Sequence, residues 1–94
     1  AYGGVKREQP FVFEYDRQLV QGVIDLYFIE DGQLVIVDYK TDRVLRGRAG
    51  EDELRRRYSI QLDYYAMALS QITGLKVKEK VIYSFALGRS LTVE

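Results

Sequence analysis

The chain has 94 residues, 47% of them apolar, with 14 basic and 14 acidic side chains and no formal net charge. That suits one small domain with a modest core, and any basic surface has to be local, because bulk charge draws the chain to neither nucleic acid nor a membrane. Cys and His are absent, which excludes disulfide scaffolds, thiolate or imidazole metal sites, and Ser-His or Cys-His nucleophilic chemistry within the chain, and leaves oxygen ligands and hard cations for any metal site.

No apolar run approaches the roughly 20 residues of a membrane span and no signal segment is visible, so no membrane partner is expected and a cytoplasmic setting is the default. The opening AYGGVKREQPF lacks an initiator Met and reads as cut from something longer. Residues 1–94 are read as a single domain.

Residues 1–9 are polar and read as a loop or extended entry. PFVFEY at 10–15 predicts a short strand, Asp16 and Arg17 a turn, and QLVQGVIDLYFI at 18–29 a long strand rich in β-branched and aromatic residues. Asp31-Gly32 is a strong hairpin signal, and LVIVDYK at 34–40 is the next strand. Residues 41–50 are a basic loop. A helix follows, with Asp52 as its expected cap and Glu51 and Glu53 suiting the positive end of the dipole. Leu54, Tyr58, Leu62, Tyr65, Leu69 and Ile72 recur at helical spacing, and Gly74 supplies a stop. VKEKVIYSFAL at 77–87 predicts a fourth strand, Gly88 a turn, and SLTVE a fifth. The order β-β-β-α-β-β implies a mixed sheet with the fourth strand beside the third.

The hairpin makes a sharper statement. If Asp31 and Gly32 form a two-residue loop, Glu30 faces Gln33, and counting back sets Asp25 opposite Asp38. Lys40 shares their face and Tyr39 takes the other. Two opposed carboxylates repel. One is protonated, or Lys40 neutralises the pair, or a divalent cation sits between them. An ordinary Asp–Lys pair at a strand end weighs as much as the metal on geometry alone.

Gln61 interrupts the apolar stripe four residues before Tyr65, so the two share a helix face turned toward the sheet. They are either polar tips aimed at the carboxylates or a core edge where Tyr65 packs and Gln61 bonds backbone. Arg43, Arg46, Arg48, Arg55, Arg56 and Arg57 surround this region in sequence. They can grip a DNA backbone, or they form a solvated face balanced by Glu51, Asp52 and Glu53. Tyr64 and Tyr65 can stack on unpaired bases, but helix aromatics more often belong to the core, and Tyr65 is preferred, through its hydroxyl.

GVIDLYF, VDYKTDR, YSIQLDYYAMAL and VIYSFALGRSLTVE together resemble the RecB-type nucleases of the PD-(D/E)XK family, from REQPF onward. Within that family the chain is most similar to the nuclease domains of bacterial AddAB-type helicase–nucleases (AddA-like). The resemblance implies an α+β, restriction-endonuclease-like core: a mixed sheet of four to five strands with one main helix. It implies metal-dependent phosphodiester hydrolysis, of exonuclease type, in the processing of DNA double-strand ends for recombinational repair. Asp25 and Asp38 would be metal ligands together with the Tyr39 carbonyl. Lys40 would orient water or stabilise developing charge, and Gln61 and Tyr65 would position substrate. Glu8 matches an upstream acidic position more loosely, and Arg43, Arg46 and Arg57 are the candidate DNA contacts.

The implied cofactor is Mg2+, with Mn2+ as a substitute and Ca2+ as a non-productive ion. The implied partners are single-stranded DNA at the site and the second subunit of an AddAB-type heterodimer. No Walker-type loop is present, so no ATP site is expected in these residues. One departure stands out. RecB-type members usually begin with a helix that carries a His ligand, and this chain has no His. It reads as a fragment beginning after that helix, with an incomplete site as the alternative, and one face of its sheet is expected to lack a packing partner. Two other functions stay open: a nuclease-fold module that only binds DNA or a partner protein, and a stand-alone small nuclease.

Overall fold

A computed structural model describes residues 4–94; the first three positions of the entry segment lie outside the described residues. The elements run β1 (Lys6–Tyr15), β2 (Gln18–Glu30), β3 (Gln33–Lys40), α1 (Arg48–Thr73), β4 (Val77–Ser84) and β5 (Arg89–Val93). The five strands form one sheet in the order β1-β2-β3-β4-β5. Every neighbouring pair is antiparallel except β3 and β4, which are parallel because α1 carries the chain back across the sheet. No helix is long and apolar enough to cross a membrane among the described residues.

The expected α+β architecture and strand order hold, and the largest boundary shifts are at β1, β4 and α1. β1 begins at Lys6, because Lys6 and Arg7 pair with Tyr27 and Leu26 on the long β2. β4 stops at Ser84, whose carbonyl and hydroxyl accept from the N–H groups of Gly88 and Leu87 and start the turn. α1 begins at Arg48 behind Gly47, with no side-chain cap. Asp52 is therefore inside the helix, near Arg48 and Arg55, and caps nothing. Ile72 leaves the apolar stripe and is 58% exposed. The buried stripe ends at Leu69, and Leu75, just beyond the left-handed Gly74, packs against the core in its place.

The core lies between α1 and one face of the sheet. Leu54, Leu62, Tyr65, Ala68 and Leu69 of the helix meet Phe11, Ile24, Leu34, Ile36, Ile82 and Leu91 of the strands. Truncating a residue buried as fully as Leu62 costs about 2–5 kcal/mol. The other face keeps Val12, Val23, Tyr39 and Phe85 exposed. Tyr39, Tyr83 and Phe85 form an aromatic cluster there, their ring centroids 5.2–6.3 Å apart. Leu26 and Val35 are nevertheless buried outside the helix-side cluster.

Candidate functional site

The site forms at the end of the β2–β3 hairpin remote from its turn. Asp31 and Gly32 both have positive φ, 53° and 74°, which is the two-residue turn that suits the strands' twist and needs a residue as permissive as glycine. This loop pairs Glu30 with Gln33 and carries the register back to Leu26 opposite Val37. At the next step the pairing changes character: the Tyr39 N–H donates to Asp25 Oδ2 at 2.9 Å. A strand residue's N–H and C=O point to the same edge, so the Tyr39 carbonyl is directed toward the Asp25 side as well.

Asp25 also sits at a break in β2. Ile24 and Tyr27 both belong to the helix-side core, although they are an odd number of residues apart. Alternation therefore resets between them, as it does where a strand is locally kinked to re-aim a side chain. On β1, Arg7 pairs with Leu26 and Gln9 with Ile24, while Glu8 between them takes φ 50° and stays out of the ladder. Glu8 is thus beside Asp25 in register.

Asp38 is 2% exposed. Lys40 Nζ lies 2.8 Å from its Oδ2, yet Oδ2 receives no aligned hydrogen bond and is the one orphaned buried side-chain polar atom among the described residues. The approach is charge against charge, off the hydrogen-bond direction. Burial pushes the Asp38 carboxyl up to about 6; Lys40 pulls it down, and the hydrogen-bonded Asp25 carboxyl raises it again. Two carboxyls with so little water around them disfavour the charged form, which is the direction of the Asp38 shift.

Lys40 is held from three sides. Besides Asp38, its ammonium donates to Gln61 Oε1 at 3.0 Å and sits 4.0 Å above the centre of the Tyr58 ring. The Tyr58 hydroxyl donates to Asp42 Oδ2 at 2.6 Å, and Arg57 donates to the same oxygen at 2.8 Å while its other arm reaches Glu53. The Tyr58 hydroxyl's bond is the largest influence holding Asp42 below the ordinary carboxylate range. Tyr65 is buried, and desolvation, with the charges of Asp38 and Asp25, raises its hydroxyl to about 12. It is a permanent proton donor at neutral pH.

Asp25, the Tyr39 backbone, Asp38, Lys40 and Gln61 are thus linked contact by contact, and Tyr65 lies near enough to feel both carboxylates, while the Tyr39 ring is on the opposite face. Glu8 does not complete a set of three acidic ligands; among the described residues no such cluster exists. Arg57 lies near this group but is engaged by Asp42 and Glu53. Arg43 and Arg46 are exposed on the connecting loop and form no ion pair among the described residues. Tyr58 and Asp42 are the residues sequence reasoning missed. In the sequence Tyr58 reads only as a stripe residue, and the available signal is its place one turn before Gln61.

The donor set fits a hard divalent cation. It offers two carboxylates, one with an orphaned oxygen, and a backbone carbonyl, and such ions keep several waters when bound through one or two carboxylates.

A family model described as the PD-(D/E)XK nuclease superfamily matches residues 3–91. An ATP-dependent helicase/nuclease subunit from Lachnoclostridium phytofermentans is 52% identical over 79 residues, 84% of this chain and 6% of the relative. The protein of the same name from Thermoanaerobacter sp. X514 is 43% identical over 102 aligned positions, 93% of this chain and 8% of its own length. That of Acetivibrio thermocellus is 53% identical over 73 residues, 78% of this chain and 6% of its own. The chain therefore spans less than a tenth of the curated relatives it matches.

Proposed function

Because the chain belongs to the PD-(D/E)XK nuclease superfamily, we propose that the Asp25–Asp38–Lys40 group is the hydrolytic centre of a Mg2+-dependent deoxyribonuclease. The relatives' name, a helicase/nuclease subunit, supports a nuclease domain that works beside a helicase and a second subunit; the broader reading we draw is an exonuclease domain of a bacterial, cytoplasmic helicase–nuclease that processes DNA ends. The observation that carries it is the orphaned, nearly water-free Asp38 oxygen next to a second carboxylate and a caged lysine.

Asp25, Asp38 and the Tyr39 carbonyl would hold the cation. A divalent cation in such a place supplies Lewis-acid charge and lowers the pKa of water. The chain does the remaining work. Asp38, Gln61 and the Tyr58 ring keep the Lys40 ammonium in one place, so it meets charge developing on the phosphate without reorganising. Tyr65 stays protonated and offers a hydrogen bond to a phosphate oxygen. Arg43 and Arg46, exposed on the loop after Lys40, supply screening-sensitive attraction for the backbone.

The test is a titration of Mg2+ into the isotopically labelled chain, followed at the Asp25, Asp38 and Lys40 backbone signals. Cleavage of single-stranded DNA is measured alongside. Shifts at those three residues at millimolar metal, with hydrolysis that Lys40→Ala removes, are expected. Flat signals at all three would sink the metal reading. One observation favours a second reading, a module that binds DNA without cutting it: only two acidic side chains meet there among the described residues. That reading expects DNA binding indifferent to metal and no hydrolysis.

A further inference from the structure

A cleft of about 360 Å³ opens beside the carboxylates, between the β1–β2 hairpin and α1. Phe11, Val20, Ile60 and Tyr64 give it apolar surface, Gln61 gives it an amide, and Arg57 lies at its rim. Gln61 and Tyr65 belong both to this cleft and to the candidate hydrolytic centre, so whatever occupies one is next to the other. Its volume is at the low end of small-ligand sites, which run about 300–1,000 Å³.

Three features prepare it for a flat guest. The Tyr64 ring is braced by Tyr15 and Phe13, at 5.7 and 6.3 Å between centroids, so little freedom is lost when something stacks on it. Ile60 is 65% exposed on a helix whose other apolar residues mostly face the core. Gly22 lets Phe11 form the floor close against β2: a Cβ there would lie 3.1 Å from the Phe11 ring and 3.9 Å from Tyr65. The polar edge is set as well. An ammonium can only donate, so Gln61 must turn its oxygen to Lys40, which leaves its amide N–H groups for the cleft.

We infer that this cleft receives an unpaired nucleobase of the strand whose phosphate lies at Asp25 and Asp38. The ligand class follows from the chemistry: an apolar face to stack on Tyr64 and Ile60, and a polar edge for the Gln61 amide N–H groups. A base stacked within a duplex has both faces covered and its edge paired, so the cleft takes an unstacked, unpaired base. The inference rests on the nuclease reading for its orientation and not for its binding chemistry.

The experiment is an NMR titration of the metal-free chain with a short oligothymidylate, repeated with an oligomer carrying an abasic position at its centre. Signals of Ile60, Tyr64 and the Gln61 side-chain amide shift with the intact oligomer. Ile60→Ser, an exposed change that spares the core, and Tyr64→Leu each weaken binding, between about fivefold and a hundredfold for the loss of one stacked base. Ile72→Ser, equally exposed but at the far end of α1, leaves binding unchanged. The abasic oligomer binds the unsubstituted chain as weakly as the intact one binds Ile60→Ser. Equal affinity for intact and abasic oligomers overturns the inference, as does binding indifferent to Ile60→Ser, or no binding at millimolar oligomer. Hydrolysis with Mg2+ but no base-dependent binding rejects the cleft alone. Base-dependent binding without hydrolysis rejects the hydrolytic reading and leaves the cleft standing.

Discussion

The two ends of the β2–β3 hairpin carry the same inventory, two carboxylates and a lysine, and behave oppositely. At the turn, Lys78 reaches Glu30 and Asp31 at 2.8 and 3.0 Å, with Asp31 81% exposed. At the other end Lys40 lies 2.8 Å from Asp38, which is almost dry. Water screens the first group, and the main consequence is a Lys78 ammonium that holds its proton more tightly. Burial dominates the second and drives Asp38 the other way from a salt-bridged carboxylate, upward to about 6. Proximity of opposite charges therefore does not decide what a cluster is for. The solvent around it does, because desolvation costs more than an imperfectly aligned pair returns.

Removing charge at each end is the strongest way to break the comparison. Asp38→Asn and Lys40→Ala should each lower metal-dependent cleavage by about 1,000-fold or more, since both act where charge develops in a low-dielectric place. Lys78→Ala should leave cleavage unchanged. A cleavage assay on single-stranded DNA with the three variants side by side decides it, and retained activity in Lys40→Ala would refute the assignment.

Acidity separates the ends next. The folded chain keeps a proton on Asp38 that the unfolded chain releases near 3.8. Asp38's contribution to metal-free stability is thus fullest below about pH 4, falls as pH rises toward about 6, and is gone above it. The span amounts to about 2–3 kcal/mol. Denaturant melts across this window should show the decline, and Asp38→Asn should flatten it. Mg2+ should restore stability above pH 6, where it finds the carboxylate free. A rise in stability between pH 4 and 6 would contradict the burial argument.

The lysine cage offers a finer contrast. Tyr58→Leu removes the ring beneath Lys40 and should slow cleavage by about tenfold, in the range of a desolvated cation–π contact. Tyr58→Phe keeps the ring, loses only the bond to Asp42, and should recover most of the rate. Equal loss in both variants would mean that Asp42 and not the ring places the lysine. Smallest of all is Lys78→Ala read as stability: its melting temperature should match the parent's at physiological salt, because exposed pairs add little once screened.

Much of this was legible beforehand for local reasons. Strand alternation, the Asp31-Gly32 turn and the Gly74 stop depend on neighbouring residues, and a two-residue loop fixes register by counting, so Asp25 could be brought to Asp38 on paper. The helix start was less legible: without a side-chain cap, Gly47 leaves little signal, and Asp52 attracted the assignment. The reset of alternation at Asp25 was not readable either, since a strand break is compelled by packing on both sides and not by one residue's propensity.

The sequence by itself determined the ingredients: oxygen-only ligands, a hairpin that aligns two aspartates, a lysine on their face, and a helix carrying Gln61 and Tyr65 at a common spacing. Only the tertiary structure decided how dry Asp38 is, that Tyr58 lies under Lys40, and that Tyr64 and Ile60 border a cleft beside them. The reason is range. Period and turn chemistry act over a few residues, whereas burial and electric field are sums over β1, β2, β3 and α1, segments that meet only once the chain has folded.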